Sequence, residues 1–228
     1  MYGLITYIRN VLFDKGILKT QRHNIPILSV GNLKAGGTGK TPFVEYLLRT
    51  FSSSFNIAVV SRGYGRKTKG FFVVNPEGSA ETFGDEPLQM ARKFPEVMFV
   101  VCEDRNFAIK EIEKRNQESI ERNQESVERN QDSAERNKEI NLILLDDAFQ
   151  HRYTARDIDI LLTEYNRPFF SDKVIPFGLL REYRRGFKRA DYIVVTKCPP
   201  LNFEDKKRFV EKLKPRFGQR IFFSNIVY

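Results

Sequence analysis

A doubly wound α/β fold, with a mostly parallel sheet flanked by helices, is the class this sequence predicts. Three observations carry it. Eight short apolar or aromatic runs alternate with polar, helix-compatible stretches. Several of the runs are continuously apolar rather than alternating, as strands covered on both faces are. One of them leads directly into a glycine-rich loop and then a helix-like stretch, the context in which phosphate-binding loops occur.

The first 22 residues read as an amphipathic helix, with Leu4, Ile8, Val11 and Leu12 on one stripe and Arg9 and Asn10 off it. Such a helix packs on the domain or lies on a membrane surface. The expected strands are 25–30, 57–60, 71–74, 97–101, 142–145, 158–162, 192–195 and 221–223. From Arg115 the chain repeats in sevens, as RNQESIE, RNQESVE, RNQDSAE and RNKEI. Each unit offers a single apolar residue (Ile120, Val127, Ala134), too few for a coiled-coil seam. Acidic residues four before arginines, as Glu118 and Arg122, support a solvated helix. Residues 114–140 are therefore expected to be an inserted polar helix without chemistry of its own, with a partner-binding arm as the alternative. No domain boundary shows, so residues 1–228 read as one core domain.

Composition narrows the partners. Hydrophobic residues at 41% and charged residues at 29% exclude a disordered or fibrous chain. Cys102 and Cys198 are the two cysteines, which excludes a disulfide framework and points to a reducing compartment. No uncharged stretch approaches the roughly 18 residues of a spanning helix, and the apolar start lacks a secretory leader. The net charge of +9 favours an anionic partner: a phosphorylated substrate, an anionic membrane or nucleic acid. Nucleic acid has charge alone in its favour, since no recognition motif accompanies it. Basic residues cluster at Arg9, Lys15, Lys19 and Arg22, and again at Arg181, Arg184, Arg185, Lys188 and Arg189.

The chemistry concentrates after the first strand, in Lys34-Ala35-Gly36-Gly37-Thr38-Gly39-Lys40-Thr41. Glycines let backbone N–H groups gather round phosphate oxygens at a helix N-terminus. Lys40 would reach the β- and γ-phosphates of a nucleotide, and the Thr41 hydroxyl would hold Mg²⁺. Lys34 stands where the strict pattern has glycine. Asp146 and Asp147 end an apolar run, as the carboxylates on the metal side of such a site do. Asp85 and Glu86 open a helix, where they cap it or supply a base. Arg62 and Tyr64 lie in SRGYGRK, a ligand loop or a simple basic turn. His151 reads as a hydrogen-bonded structural residue, and no zinc spacing occurs. Thr196-Lys197-Cys198-Pro199 follows a strand as guanine-reading motifs do, but lacks the aspartate they need.

These motifs together resemble the tetraacyldisaccharide 4′-kinases, the lipid A 4′-kinases of bacteria. The matching runs are SVGNLKAGGTGKTP, SRGYGRK, GDEP, LLDDAFQHR, PFGLLRE and VVTKCP, in that order. The resemblance implies a P-loop fold and transfer of the γ-phosphoryl of ATP to the 4′-hydroxyl of a tetraacylated disaccharide 1-phosphate. It implies ATP and Mg²⁺, a glycolipid substrate and peripheral work at the cytoplasmic face of the inner membrane, with no obligate protein partner. Lys40 and Asp85 would be catalytic, Asp85 as base; Thr41, Asp146, Asp147 and Glu182 would lie on the metal side. Arg62, Tyr64 and Arg181 would meet the substrate. Members of the family are usually longer and carry a smaller C-terminal lobe with an Asp-His-His motif, which this sequence lacks. The alternative reading is therefore a catalytically silent MgATP-binding module of the same family.

Overall fold

The computed structural model describes residues 2–128 and 139–225. Its eight strands form a mostly parallel sheet, and the chain divides into two compact units. The first comprises Met1–Thr20, Leu28–Val44 and Asp146–Tyr228; the second comprises Gln21–Ile27 and Glu45–Leu145.

In the first unit, β1 (Ile27–Asn32), β6 (Ile158–Glu164), β7 (Tyr192–Thr196) and β8 (Arg220–Phe223) pair in that order, all parallel. Every residue of β1 is buried, as are the five central residues of β6. Continuous apolar sequence and two-sided burial go together here. A cluster of Leu33, Phe149, Leu161, Phe169, Leu180, Phe187 and Ile193 fills the interior beside these strands. The helix α1 (Tyr2–Asp14) opens the unit and α6 (Phe203–Leu213) precedes β8. Asn202 caps α6, its side chain accepting from the Asp205 N–H.

In the second unit, β2 (Ile57–Ser61) lies between β4 (Met98–Val101) and β5 (Leu142–Asp146), both parallel to it; β3 (Phe72–Val73) runs antiparallel on the outer side of β4. The run expected over 71–74 thus contracts to a two-residue edge strand. Two helices, α3 (Ala80–Phe83) and α4 (Asp85–Lys93), come before β4.

The helix α5 (Arg105–Glu128) absorbs the start of the heptad repeat. Its first half buries Ala108, Ile109 and Ile112, while Ile120 in the repeat is 40% exposed. Lys114 lies 3.8 Å from Glu118, and Arg122 donates to the Glu118 carbonyl. The repeat also has an anchor that its periodicity does not announce. Buried Asn116 donates to the Ile140 carbonyl at 2.7 Å and accepts the Ile140 N–H at 3.0 Å, closing the insert where it returns to β5. Residues 129–138 of the repeat lie outside the described residues.

Candidate phosphate-binding site

The loop between β1 and the helix α2 (Lys40–Phe51) is shaped by glycine at two kinds of position. At Gly31 the reason is contact: a Cβ there would stand 2.7 Å from the Cβ of Phe149. At Gly36 and Gly39 the reason is backbone, with φ of 107° and 79°, where a side chain is strained. Positive-φ glycines of this kind let a backbone loop curl around an anion. Asn32, fully buried, donates to the Thr38 hydroxyl at 2.5 Å and struts the loop from within.

Segment 172–181 flanks the loop. Ala35 donates to the Leu179 carbonyl, and Arg181 to that of Leu33, each at 2.8 Å. The Lys34 side chain is buried with its ammonium 3.2 Å from Asp172. The Lys34 ammonium is thus engaged with Asp172 on the flanking segment. This contact explains a lysine where the strict pattern has glycine. Burial alone would favour the neutral acid at Asp172. The N–H groups of Lys173 and Leu179 and the Lys34 ammonium outweigh it, and hold the carboxyl below its ordinary range.

Lys40, at the start of α2, has its ammonium 3.6 Å from Asp147. Asp147 in turn accepts from Arg181 Nη1 at both oxygens, 2.9 and 2.8 Å away. The aspartate adopts φ of 49°, a left-handed conformation that Asp tolerates better than most residues. Two cations thus share one carboxylate, leaving a positive excess beside the loop. Three expected site residues, Lys40, Asp147 and Arg181, are brought together, and an arriving phosphate would meet that excess.

Glu182 is another of the residues expected on the metal side. It is fully buried, and Arg189 grips both its oxygens at 3.0 and 2.8 Å. Asn10 of α1 donates to it at 2.6 Å, and Gln150 lies 3.4 Å away. The carboxylate is committed to tying α1 and the 184–189 turn together. Thr41 in the first turn of α2 and Asp146 at the end of β5 are both partly exposed. Among the described residues no three acidic, histidine or cysteine side chains gather as a metal-ligand group. The four expected metal-side residues therefore do not form one set.

Arg62, Tyr64 and Asp85 belong to the second unit. Arg62 and Asp85 are exposed, and Tyr64 is 91% exposed. Asp85 is the first residue of α4, directly after Gly84, whose φ is 90°. A Cβ on Gly84 would stand 2.8 Å from the Tyr64 carbonyl, so the SRGYGRK loop and the GDEP helix start pack closely on each other. That juxtaposition was not readable from either motif alone.

α1 is held by its polar side. Arg152 donates to the Asn10 carbonyl and to Asp14, and its guanidinium lies over the Phe13 ring. Leu4, Ile5, Tyr7 and Ile8 are each at least half exposed. Leu4 and Ile8 of the apolar stripe thus face outward, while Val11 and Leu12 are half-buried and Phe13 is buried. A groove of about 590 Å³ lies between α1 and the 184–189 turn, lined by Leu4, Tyr7, Val11, Tyr183, Arg185 and Lys188.

A family model described as tetraacyldisaccharide-1-P 4′-kinase matches residues 1–222. The chain belongs to the tetraacyldisaccharide 4′-kinase family. It is 43% identical over 229 residues to the Flavobacterium johnsoniae protein named tetraacyldisaccharide 4′-kinase, covering 100% of this chain and 61% of that one. With the Flavobacterium psychrophilum protein of the same name it shares 47% over 199 residues, or 87% of this chain and 52% of that one. The fold is similar to the crystal structure of LpxK from Aquifex aeolicus in complex with ATP, with a TM-score of 0.69 at 28% identity, covering 100% of this chain and 79% of that chain. The chain thus spans a little over half the length of these named relatives. The outward-facing residues of α1 fall within the matched residues. Among the described residues no helix is long and apolar enough to cross a membrane.

Proposed function

We propose that this chain binds MgATP through residues 35–41 and transfers its γ-phosphoryl group to the 4′-hydroxyl of tetraacyldisaccharide 1-phosphate, forming lipid IVA. The observation that carries the reading is the glycine loop at the end of β1 with Lys40, Asp147 and Arg181 gathered beside it. On this reading the β- and γ-phosphates displace Asp147 as the partner of Lys40, and Arg181 remains to hold the aspartate or meet the substrate. Lys40 then stabilises charge that builds on the transferring group. Asp85 takes the proton of the 4′-hydroxyl as its oxygen bonds to the γ-phosphorus and the bond to ADP breaks. Arg62 and Tyr64, in the loop whose Tyr64 carbonyl lies close to Gly84, would orient the sugar.

Thr41 and Asp146 would hold Mg²⁺ through a hydroxyl and a carboxylate, donors that this cation accepts. Asp147 and Glu182 suit it poorly as they stand, each being gripped by cations. The bound metal would neutralise phosphate charge. The apolar stripe of α1 supports contact with the acyl chains and with an anionic membrane surface, on the cytoplasmic side of the inner membrane where ATP is available. The alternative reading is an MgATP-binding module of the same family without transfer.

The Asp85→Asn variant tests the assignment of the base. Transfer should fall about 10²–10⁴-fold with MgATP affinity unchanged, the range general-base catalysis supplies. Undiminished transfer would remove Asp85 from the mechanism.

A further inference from the structure

The turn after β7 carries a lysine that the reading above does not use. Lys197 Nζ lies 2.6 Å from the Gly37 carbonyl and 2.5 Å from Glu164 Oε1. Its neighbour Thr196, 4% exposed, donates from its hydroxyl to the Thr38 carbonyl at 2.9 Å, with the Thr163 carbonyl 3.3 Å away. A Cβ on Gly39 would stand 3.7 Å from Thr196 Cβ, ordinary packing distance. Two consecutive carbonyls of the glycine loop, of Gly37 and Thr38, are thus each met by one of two adjacent residues at the end of β7. The sheet supplies that turn's geometry. Glu164 and Thr196 are register partners at the ends of β6 and β7, so Lys197, at φ of 53°, bends back beside Glu164 and over the loop.

A glycine-rich phosphate loop has few side chains to hold its shape, and here Thr38, held by Asn32, supplies one. Ordering it when the nucleotide arrives would cost backbone entropy and weaken binding. For its N–H groups to turn inward its carbonyls must turn outward, and those carbonyls need donors. We propose that Thr196 and Lys197 are positioning residues for nucleotide binding, bracing the outward carbonyls of Thr38 and Gly37 so that the loop is formed in advance. Glu164 orients the Lys197 ammonium and offsets its charge, so the lysine acts on the loop and not as a counter-ion to phosphate. This inference rests on the assignment of residues 35–41 to ATP phosphates, and deepens it.

Calorimetric titration of the full chain with MgATP and MgADP, beside amide hydrogen exchange of the nucleotide-free protein, tests it. Lys197→Met should weaken both nucleotides alike by about tenfold or more, the value of a charge-assisted hydrogen bond. Exchange at Gly37, Thr38 and Gly39 should quicken, while the melting curve stays close to wild type because the lysine is half-exposed. Lys197→Arg, able to donate to the same carbonyl, should recover most of the affinity. Thr196→Val should quicken exchange at the same amides. Unchanged loop exchange in both Lys197→Met and Thr196→Val overturns the brace whatever the nucleotides do. Wild-type affinity in Lys197→Met overturns it too. Failure of the wild-type chain to bind MgATP, or equal binding by Lys40→Ala, overturns the phosphate assignment instead, and the exchange readout still judges the brace.

Discussion

At the scale of single residues, charge in this protein is largely spent inside it. Lys34 faces Asp172, Glu182 faces Arg189 and Asn10, and Lys197 faces Glu164. Lys34 and Glu182 were expected at the site from position alone, and both side chains have partners within the protein. Glu182 gives the clearest consequence. Removing one side of a buried ion pair leaves the other charge uncompensated, so Glu182→Ala should destabilise the fold by about 3–5 kcal/mol. Denaturant unfolding measures this directly. A stability equal to wild type, with loss confined to metal-dependent activity, would return Glu182 to the metal side. Partners such as Asn10, Gln150 and Arg189 could not be read from the sequence. They lie 172, 32 and 7 residues from Glu182 respectively, and nothing local marks them.

At the scale of elements, the central strands were legible because they are short apolar runs buried along most of their length, and apolar continuity is a local signal. The glycine loop was legible for a similar reason: its backbone requirements are met by residues adjacent in sequence. The edge strand β3 was overdrawn, since Phe71 and Val74 look like strand residues but only Phe72 and Val73 find ladder partners on β4. The helix α1 was legible as amphipathic while its orientation was not. Its Leu4 and Ile8 face outward because its polar side is drawn into the Arg152 and Glu182 contacts, which are tertiary. These two should therefore act in binding rather than in stability. Leu4→Ser with Ile8→Ser should lower binding to vesicles of anionic lipid, each buried methylene being worth about 0.8 kcal/mol. Sedimentation with vesicles would show it, and the melting curve should hold. Unchanged vesicle binding with a lowered melting curve would make α1 a packing element instead.

At the scale of the whole molecule, family membership and the glycine loop point the same way, while length distinguishes this chain from the relatives it matches. A kinase core needs phosphates held at the end of β1, a cation beside them and a base for the acceptor. The first two are gathered in the first unit; Asp85, in the second, is proposed for the third. The most direct measurement incubates the purified chain with γ-labelled ATP, Mg²⁺ and tetraacyldisaccharide 1-phosphate in detergent micelles, then separates the lipid. Label should enter the lipid, and Lys40→Ala should reduce it by at least about 10²-fold, the scale of losing one charge-stabilising group. Unlabelled lipid from a chain that still binds MgATP would contradict the transfer and leave a nucleotide-binding module.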